Sequence, residues 1–264
     1  MKIIQAETNI GLIRKNNEDV ALAITHPKDA ETHLLLVADG MGGKEHGEVA
    51  SNYAAKVLEK WFKTKSAKAI LNLEKTEEQL YNLIEKISND IIKKMGEGVS
   101  GTTLSLALIT KKGTITVNVG DSRIYIYRKK KLIQISEDDS DVWYFYKYGF
   151  VQKDDLRFFY NNNIITACVG LSGDICSIKT EIIENDYDLL LVVTDGVSDL
   201  ITDKKIKKII ESSHKKNILP KIIREAVEVD QKFRIPLRLR RKKLSKYILP
   251  FHGRDNASGA IYIK

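Results

Sequence analysis

Cysteine and proline are scarce in this chain, with two of the first and four of the second among 264 residues. Cys168 and Cys176 are too few for a disulfide framework and have no partners at zinc-like spacing, which suits a reducing compartment. With so little proline, no Ser-rich stretch and no internal repeat, there is no linker on which to divide the chain, so residues 1–264 read as one domain. Long apolar runs are missing as well. No segment approaches the roughly 20 apolar residues of a membrane span, and Met1-Lys2-Ile3-Ile4-Gln5-Ala6-Glu7 has no apolar region long enough for a secretory signal. The expectation is a cytoplasmic protein with no transmembrane segment. The five histidines, His26, His33, His46, His214 and His252, are scattered, and none needs a catalytic role.

What the chain does have is 43% hydrophobic residues, enough for a sizeable core, and 30% charged ones. Its net charge of +8 is local. Lys232 to Lys246 holds eight Lys and Arg and no acid; removing those eight from the 43 leaves 35, equal to the 35 Asp and Glu. Within this basic insertion at about 230–250, Phe233, Ile235, Leu237 and Leu239 alternate with Arg234, Pro236, Arg238 and Arg240. A two-residue period gives one apolar and one basic face. Such a stretch could dock an acidic partner, an anionic membrane surface or RNA, or it could be a solvated loop or edge strand whose charges prevent aggregation.

Two apolar runs end in the same device. Leu34-Leu35-Leu36-Val37-Ala38 leads into Asp39-Gly40-Met41-Gly42-Gly43, and Leu189 to Thr194 leads into Asp195-Gly196. Each run is too short for a helix, and a strand hidden on both faces need not alternate. One such end could be an ordinary Asp-Gly turn. The second copy favours strands that carry acids to a site. Further strands are expected at 2–8, 20–25, Leu104 to Ile109, Thr114 to Val119, Arg123 to Arg128, Ile178 to Ile183 and Ala257 to Ile263. Helical spacing runs from Glu48 to Lys63 and from about Glu77 to Met95, and recurs after Asp195. Residues 136–165, rich in Trp, Tyr and Phe, read as a partly helical flap whose aromatics either line a groove or pin the flap to the core. Strands before and after two helical regions predict an α+β fold of stacked antiparallel sheets with helices on the outer faces.

Glu18, Asp19, Asp39, Asp121, Asp195 and Asp255 all sit at strand ends or in tight loops, three of them next to a glycine. Acids gathered without a histidine or cysteine cluster suit hard cations held by oxygen, Mg²⁺ or Mn²⁺. Two such ions roughly 4 Å apart can lower the pKa of a shared water for in-line attack at phosphorus. Arg14 is available in the Glu18 loop to hold phosphate oxygens.

In order along the chain, Gly11-x-x-Arg14-x-x-Asn17-Glu18-Asp19, Asp39-Gly40-Met41-Gly42-Gly43, Ser100-Gly101-Thr102-Thr103, Val119-Gly120-Asp121-Ser122-Arg123, Ile165-Thr166-x-x-Val169-Gly170, Thr194-Asp195-Gly196-Val197-Ser198-Asp199 and Asp255-Asn256-x-Ser258 resemble the motifs of the PP2C-like (PPM) family of metal-dependent Ser/Thr protein phosphatases, bacterial type. The resemblance implies a four-layer α-β-β-α sandwich, two antiparallel sheets flanked by helices, with metals in a cleft at one edge. It also implies that Asp39 bridges two central ions and that the Gly40 carbonyl binds one of them. Asp195 and Asp255 ligate the other, Glu18 engages through water, and Asp19 and Asn256 support the ligands. Arg14 grips the substrate phosphate, and Asp121 with Asp195 holds a third, weaker ion. The implied reaction is direct attack of a metal-bridging hydroxide on phosphoserine or phosphothreonine in proteins, opposing a Ser/Thr kinase.

The chain departs from that pattern in places. Met41 stands where animal relatives carry a histidine proposed as general acid, and Asp138-Asp139-Ser140 replaces the usual Asp-His-Ser at the flap. The alternative function is a catalytically silent scaffold of the same fold. Retention of every implied ligand argues against it.

Overall fold

The computed structural model describes residues 2–42, 46–159, 161, 163–170, 177–228 and 255–264. The basic stretch Lys232 to Lys246, and with it the insertion at about 230–250, lies outside the described residues.

The strands in chain order are β1 (Ile3–Asn9), β2 (Asp19–His26), β3 (Asp29–Gly42), β4 (Ser100–Thr102), β5 (Leu104–Thr110), β6 (Gly113–Val119), β7 (Arg123–Arg128), β8 (Lys131–Gln134), β9 (Lys179–Ile183), β10 (Leu189–Val193) and β11 (Ala257–Ile263). The α-helices are α1 (His46–Thr64), α2 (Ala67–Ile70), α3 (Leu73–Met95), α4 (Trp143–Lys147), α5 (Asp195–Ser198), α6 (Asp203–Ser212) and α7 (Ile218–Glu228). One sheet runs β1-β11-β10-β7-β8 and the other β2-β3-β5-β6-β9, with β4 added to the far end of β3. Every pairing is antiparallel.

Three apolar layers hold the sheets and helices together. Leu35, Val37, Ala107, Ile124, Leu190, Val192 and Ala260 pack between the two sheets. Leu34, Leu36 and Ala38 face the opposite way, onto Leu58 and Phe62 of α1 and Leu80, Ile84 and Ile87 of α3. Leu189, Leu191 and Val193 likewise face α6 and α7 through Ile206, Ile209, Ile222 and Ile223. The result is the expected four-layer α-β-β-α sandwich. It also explains the unbroken apolar runs: β3 and β10 are interior strands covered on both faces, so Leu34 to Ala38 and Leu189 to Val193 are buried without alternation.

Several boundaries differ from the sequence expectation. β3 does not stop at Asp39 but continues to Gly42, where Gly40, Met41 and Gly42 pair with Thr102, Gly101 and Ser100. The Asp39-Gly40 step is therefore extended strand and not a turn. At Asp195 the chain enters α5 directly. α3 starts four residues earlier than its apolar stripe suggests, because the Asn72 side chain accepts a hydrogen bond from the Lys75 N–H and caps it.

The flap at 136–165 has its own small core of Val142, Trp143, Val151, Leu156, Phe158 and Phe159. Trp143, Phe158 and Phe159, with Phe145 against them, pack inside the flap, while Tyr144 and Tyr146 on α4 and Tyr148 just after it are exposed to solvent, which is neither of the roles expected of them. A bridge between Ser140 and Ile165 closes its base.

Candidate metal centre

The end of β3 is clamped before any acid is considered. The Asp39 N–H donates to Thr103 Oγ1 at 3.0 Å, and the Asp39 carbonyl accepts from the Thr103 N–H at 2.8 Å and from Thr102 Oγ1 at 3.0 Å. One residue on, the Gly40 N–H donates to the Glu18 carbonyl at 3.1 Å, and Ser51 Oγ on α1 donates to the same oxygen at 2.6 Å. A Cβ on Gly40 would lie 2.2 Å from the Gly47 carbonyl oxygen, so only glycine lets the strand and the start of α1 approach. Register completes the placement: Asp19 pairs directly with Asp39 across β2 and β3.

From the other sheet, β10 brings Asp195 and β11 is preceded by Asp255 and Asn256. Thr194 Oγ1 donates to Asp19 Oδ2 at 2.9 Å and accepts from the Ser258 N–H at 3.1 Å, tying the two sheets together beneath the acids. Asn256 meets Asp255 through its backbone N–H, 2.8 Å from Oδ1. Its side chain turns the other way. Oδ1 accepts from the Glu18 N–H at 2.9 Å, and Nδ2 donates to the carbonyls of Ile10 at 2.9 Å and Asn16 at 3.1 Å.

The expected site residues thus come together from both sheets. Asp39 is pushed well above the usual carboxylate range by burial first, then by Asp19, Asp195 and Asp255. Burial, then Asp255 and Asp199, push Asp195 up to about 8. Burial pushes Asp19 up to about 7 against the hydroxyls of Ser258 and Thr194. Asp121 is raised by burial and by Asp195, Asp138 and Asp199. Glu18 is raised by burial and by Asp255 and Glu48, with Arg14 opposing. These mutual influences couple Glu18, Asp255, Asp39, Asp19, Asp195 and Asp121 as one group of acids.

Two guanidinium groups lie among these acids, and each is engaged. Arg14 Nη2 lies 2.5 Å from Asp255 Oδ2. Burial works against its charge, but Asp255, Asp39 and Glu18 outweigh this and hold it above its ordinary value. Arg123 is buried in a forked pair with Asp138, Nε to Oδ2 at 2.9 Å and Nη2 to Oδ2 at 2.7 Å. Asp139, where the resemblance leads one to expect histidine, accepts the Gly120 N–H at 3.0 Å and pairs with Lys179. An anion thus fastens the flap base to the Gly120-Asp121 turn and to β9.

The donors fit hard divalent ions. All are oxygens, and Asp19 Oδ1 and Asp195 Oδ1 are buried with no hydrogen-bond partner. Crowded carboxylates held this far above their usual range need protons or cations to share the site. Among the described residues, no three His, Cys, Asp or Glu side chains are gathered round one point tightly enough to hold an ion as they stand.

A scan against family models matches residues 15–221 to "Protein phosphatase 2C". The chain belongs to the protein phosphatase 2C family. The PP2C match leaves Arg14, Asp255 and Asn256 outside its bounds, yet the fold pairs Arg14 with Asp255 and Asn256 with Glu18. Among PP2C relatives, the chain is 31% identical to the serine/threonine phosphatase stp of Listeria monocytogenes over 211 residues, covering 78% of this chain and 81% of the relative. It superposes on serine/threonine phosphatase Stp1 from Staphylococcus aureus with a TM-score of 0.82 and 25% identity, covering 100% of this chain and 95% of that one. The PstP catalytic domain, solved in complex with two manganese ions, shares the fold at a TM-score of 0.73 and 23% identity, covering 99% of this chain and 97% of that one.

The roles of Thr102, Thr103, Thr194 and Ser51 were not assigned from the sequence. They lie within or beside the matched motifs. What they do depends on partners up to 175 positions away, as between Thr194 and Asp19.

Proposed function

We propose that this chain, as one domain over residues 1–264, is a metal-dependent protein phosphatase that hydrolyses phosphoserine and phosphothreonine esters in one step, opposing a Ser/Thr kinase in the cytoplasm. The observation that carries this is the group of coupled acids brought from two sheets, with Arg14 paired to Asp255 beside them, on a PP2C fold. Glu18, Asp39, the Gly40 carbonyl, Asp195 and Asp255 would hold two central Mn²⁺ or Mg²⁺ ions, and Asp121 with Asp195 a third. Such ions supply Lewis acidity, lowering the pKa of water for in-line attack at phosphorus and neutralising phosphate charge.

The chain's own residues do the rest. Asp39, held above its ordinary range by burial and by its acidic neighbours, would give up its proton as a cation binds, and two clamping threonines fix the direction of its backbone. Arg14 exchanges Asp255 for the phosphate, its planar fork suited to two oxygens at once. Asp19 carries no ligand role and accepts Thr194, which keeps β2 and β10 in register beneath the acids. Met41 has no ionisable group, so the alkoxide of the departing serine or threonine takes its proton from water. Phosphate release from a phosphothreonine peptide should require Mn²⁺ or Mg²⁺, stop in excess EDTA, and fall by more than about 100-fold in Asp39→Asn or Asp195→Asn. Full activity in excess EDTA overturns the proposal.

A further inference from the structure

The loop that carries Arg14 presents aliphatic side chains to solvent. Ile10 is 40% exposed, Leu12 63% and Ile13 58%. Their backbone is anything but loose. Asn256 is buried and donates to the Ile10 and Asn16 carbonyls, and the Gly11 N–H donates to Asn9 Oδ1 at 2.9 Å. Gly11 sits at φ +77° with the Asp255 carbonyl oxygen 2.4 Å from where a Cβ would be, so the loop lies hard against β11. The loop is therefore held from below by polar bonds, and its apolar side chains contribute little to the core. Scattered apolar residues on a surface are ordinary, but a fixed group of them next to the arginine proposed to hold phosphate is placed for recognition.

The occupant follows from Arg14. A phosphorylated residue whose phosphate meets Arg14 carries its neighbours over this same loop, at about 3.3 Å per residue of extended chain. The charge beside the loop is acidic: Glu18 and Asp255 flank Arg14, and Glu48 is near enough to raise Glu18. That disfavours acidic flanks, and the exposed aliphatic side chains of Leu12 and Ile13 are what an apolar flank would meet. We infer that Leu12 and Ile13, with Ile10, form a shelf that docks an aliphatic or aromatic side chain beside the phosphoserine or phosphothreonine, which presupposes the phosphatase activity proposed above. The chain's substrates are then phosphorylation sites set among apolar residues.

The test uses the Mn²⁺-loaded full chain and two phosphothreonine peptides that differ only in the three residues on either side, Leu and Val in one, Ser and Asn in the other. The unaltered chain should cleave the apolar peptide with a kcat/KM about tenfold higher. In Leu12→Ser/Ile13→Ser the ratio should fall to within about twofold, and Leu12→Val/Ile13→Val should keep most of it. Because the readout is a ratio on one enzyme, a misfolded fraction cancels. No preference in the unaltered chain, a preference that survives the serine variant, or cleavage of p-nitrophenyl phosphate but of neither peptide overturns the inference. Failure to cleave p-nitrophenyl phosphate overturns the phosphatase proposal itself, and the shelf with it.

Discussion

Asn256 serves the Arg14 loop with both halves of its amide, the oxygen accepting from Glu18 and the nitrogen reaching Ile10 and Asn16. Asn256→Ala would leave those backbone groups without their partner at a buried position, at a cost of about 1–3 kcal/mol. The loop would also lose the tie that fixes Arg14 relative to Asp255. Urea unfolding should register the first effect and a raised KM for phosphopeptide the second, with kcat less affected. Asn256→Asp keeps the acceptor for Glu18 but loses the donor to Ile10 and Asn16, so it should not restore the loop. The sequence marks Asn256 only as the neighbour of Asp255. Its partners lie about 240 positions away, and no local pattern could reveal them.

At the scale of elements, the apolar runs of β3 and β10 were legible because burial on both faces forbids alternation, and the acids at their ends were legible as a repeated device. How far β3 continues was not. Its last three residues are held by β4, a three-residue strand with no periodicity to detect. The flap shows the same limit. Its aromatic content marked it, but Asp139 acquires meaning only through Gly120 and Lys179, which local sequence does not bring together. Asp139→Ala removes the acceptor for a buried N–H at the turn that aims Asp121. It should lower stability by about 2 kcal/mol in urea unfolding, while Asp139→Asn, which keeps an acceptor, should cost less.

Across the whole molecule, burial of acids from both sheets makes stability depend on pH in an unusual direction. Asp19 and Asp195, pushed up to about 7 and about 8, bind protons more tightly folded than unfolded, where carboxylates titrate near about 3.9. Their contribution is complete in acid below the unfolded value and is lost as pH rises through 7 to 8. Asp29, Asp203 and Glu137 are shifted down and act below that window. In EDTA the Tm should therefore fall between pH 5 and 8, and saturating Mn²⁺ should abolish the fall by replacing protons with cations. A Tm that rises with pH in EDTA would contradict the coupling of these buried acids. The layered fold was legible from strand order and helix placement. The union of distant segments at one point was not, because register between sheets is a property of the packed whole. That union has a consequence for synthesis. β1 pairs along its length with β11, and Asp255 and Asn256 close the site on the loop at Ile10 to Glu18. A nascent chain with β11 still inside the ribosomal tunnel cannot bring Asp255 and Asn256 to that loop, so the proposed site stays incomplete until β11 has emerged.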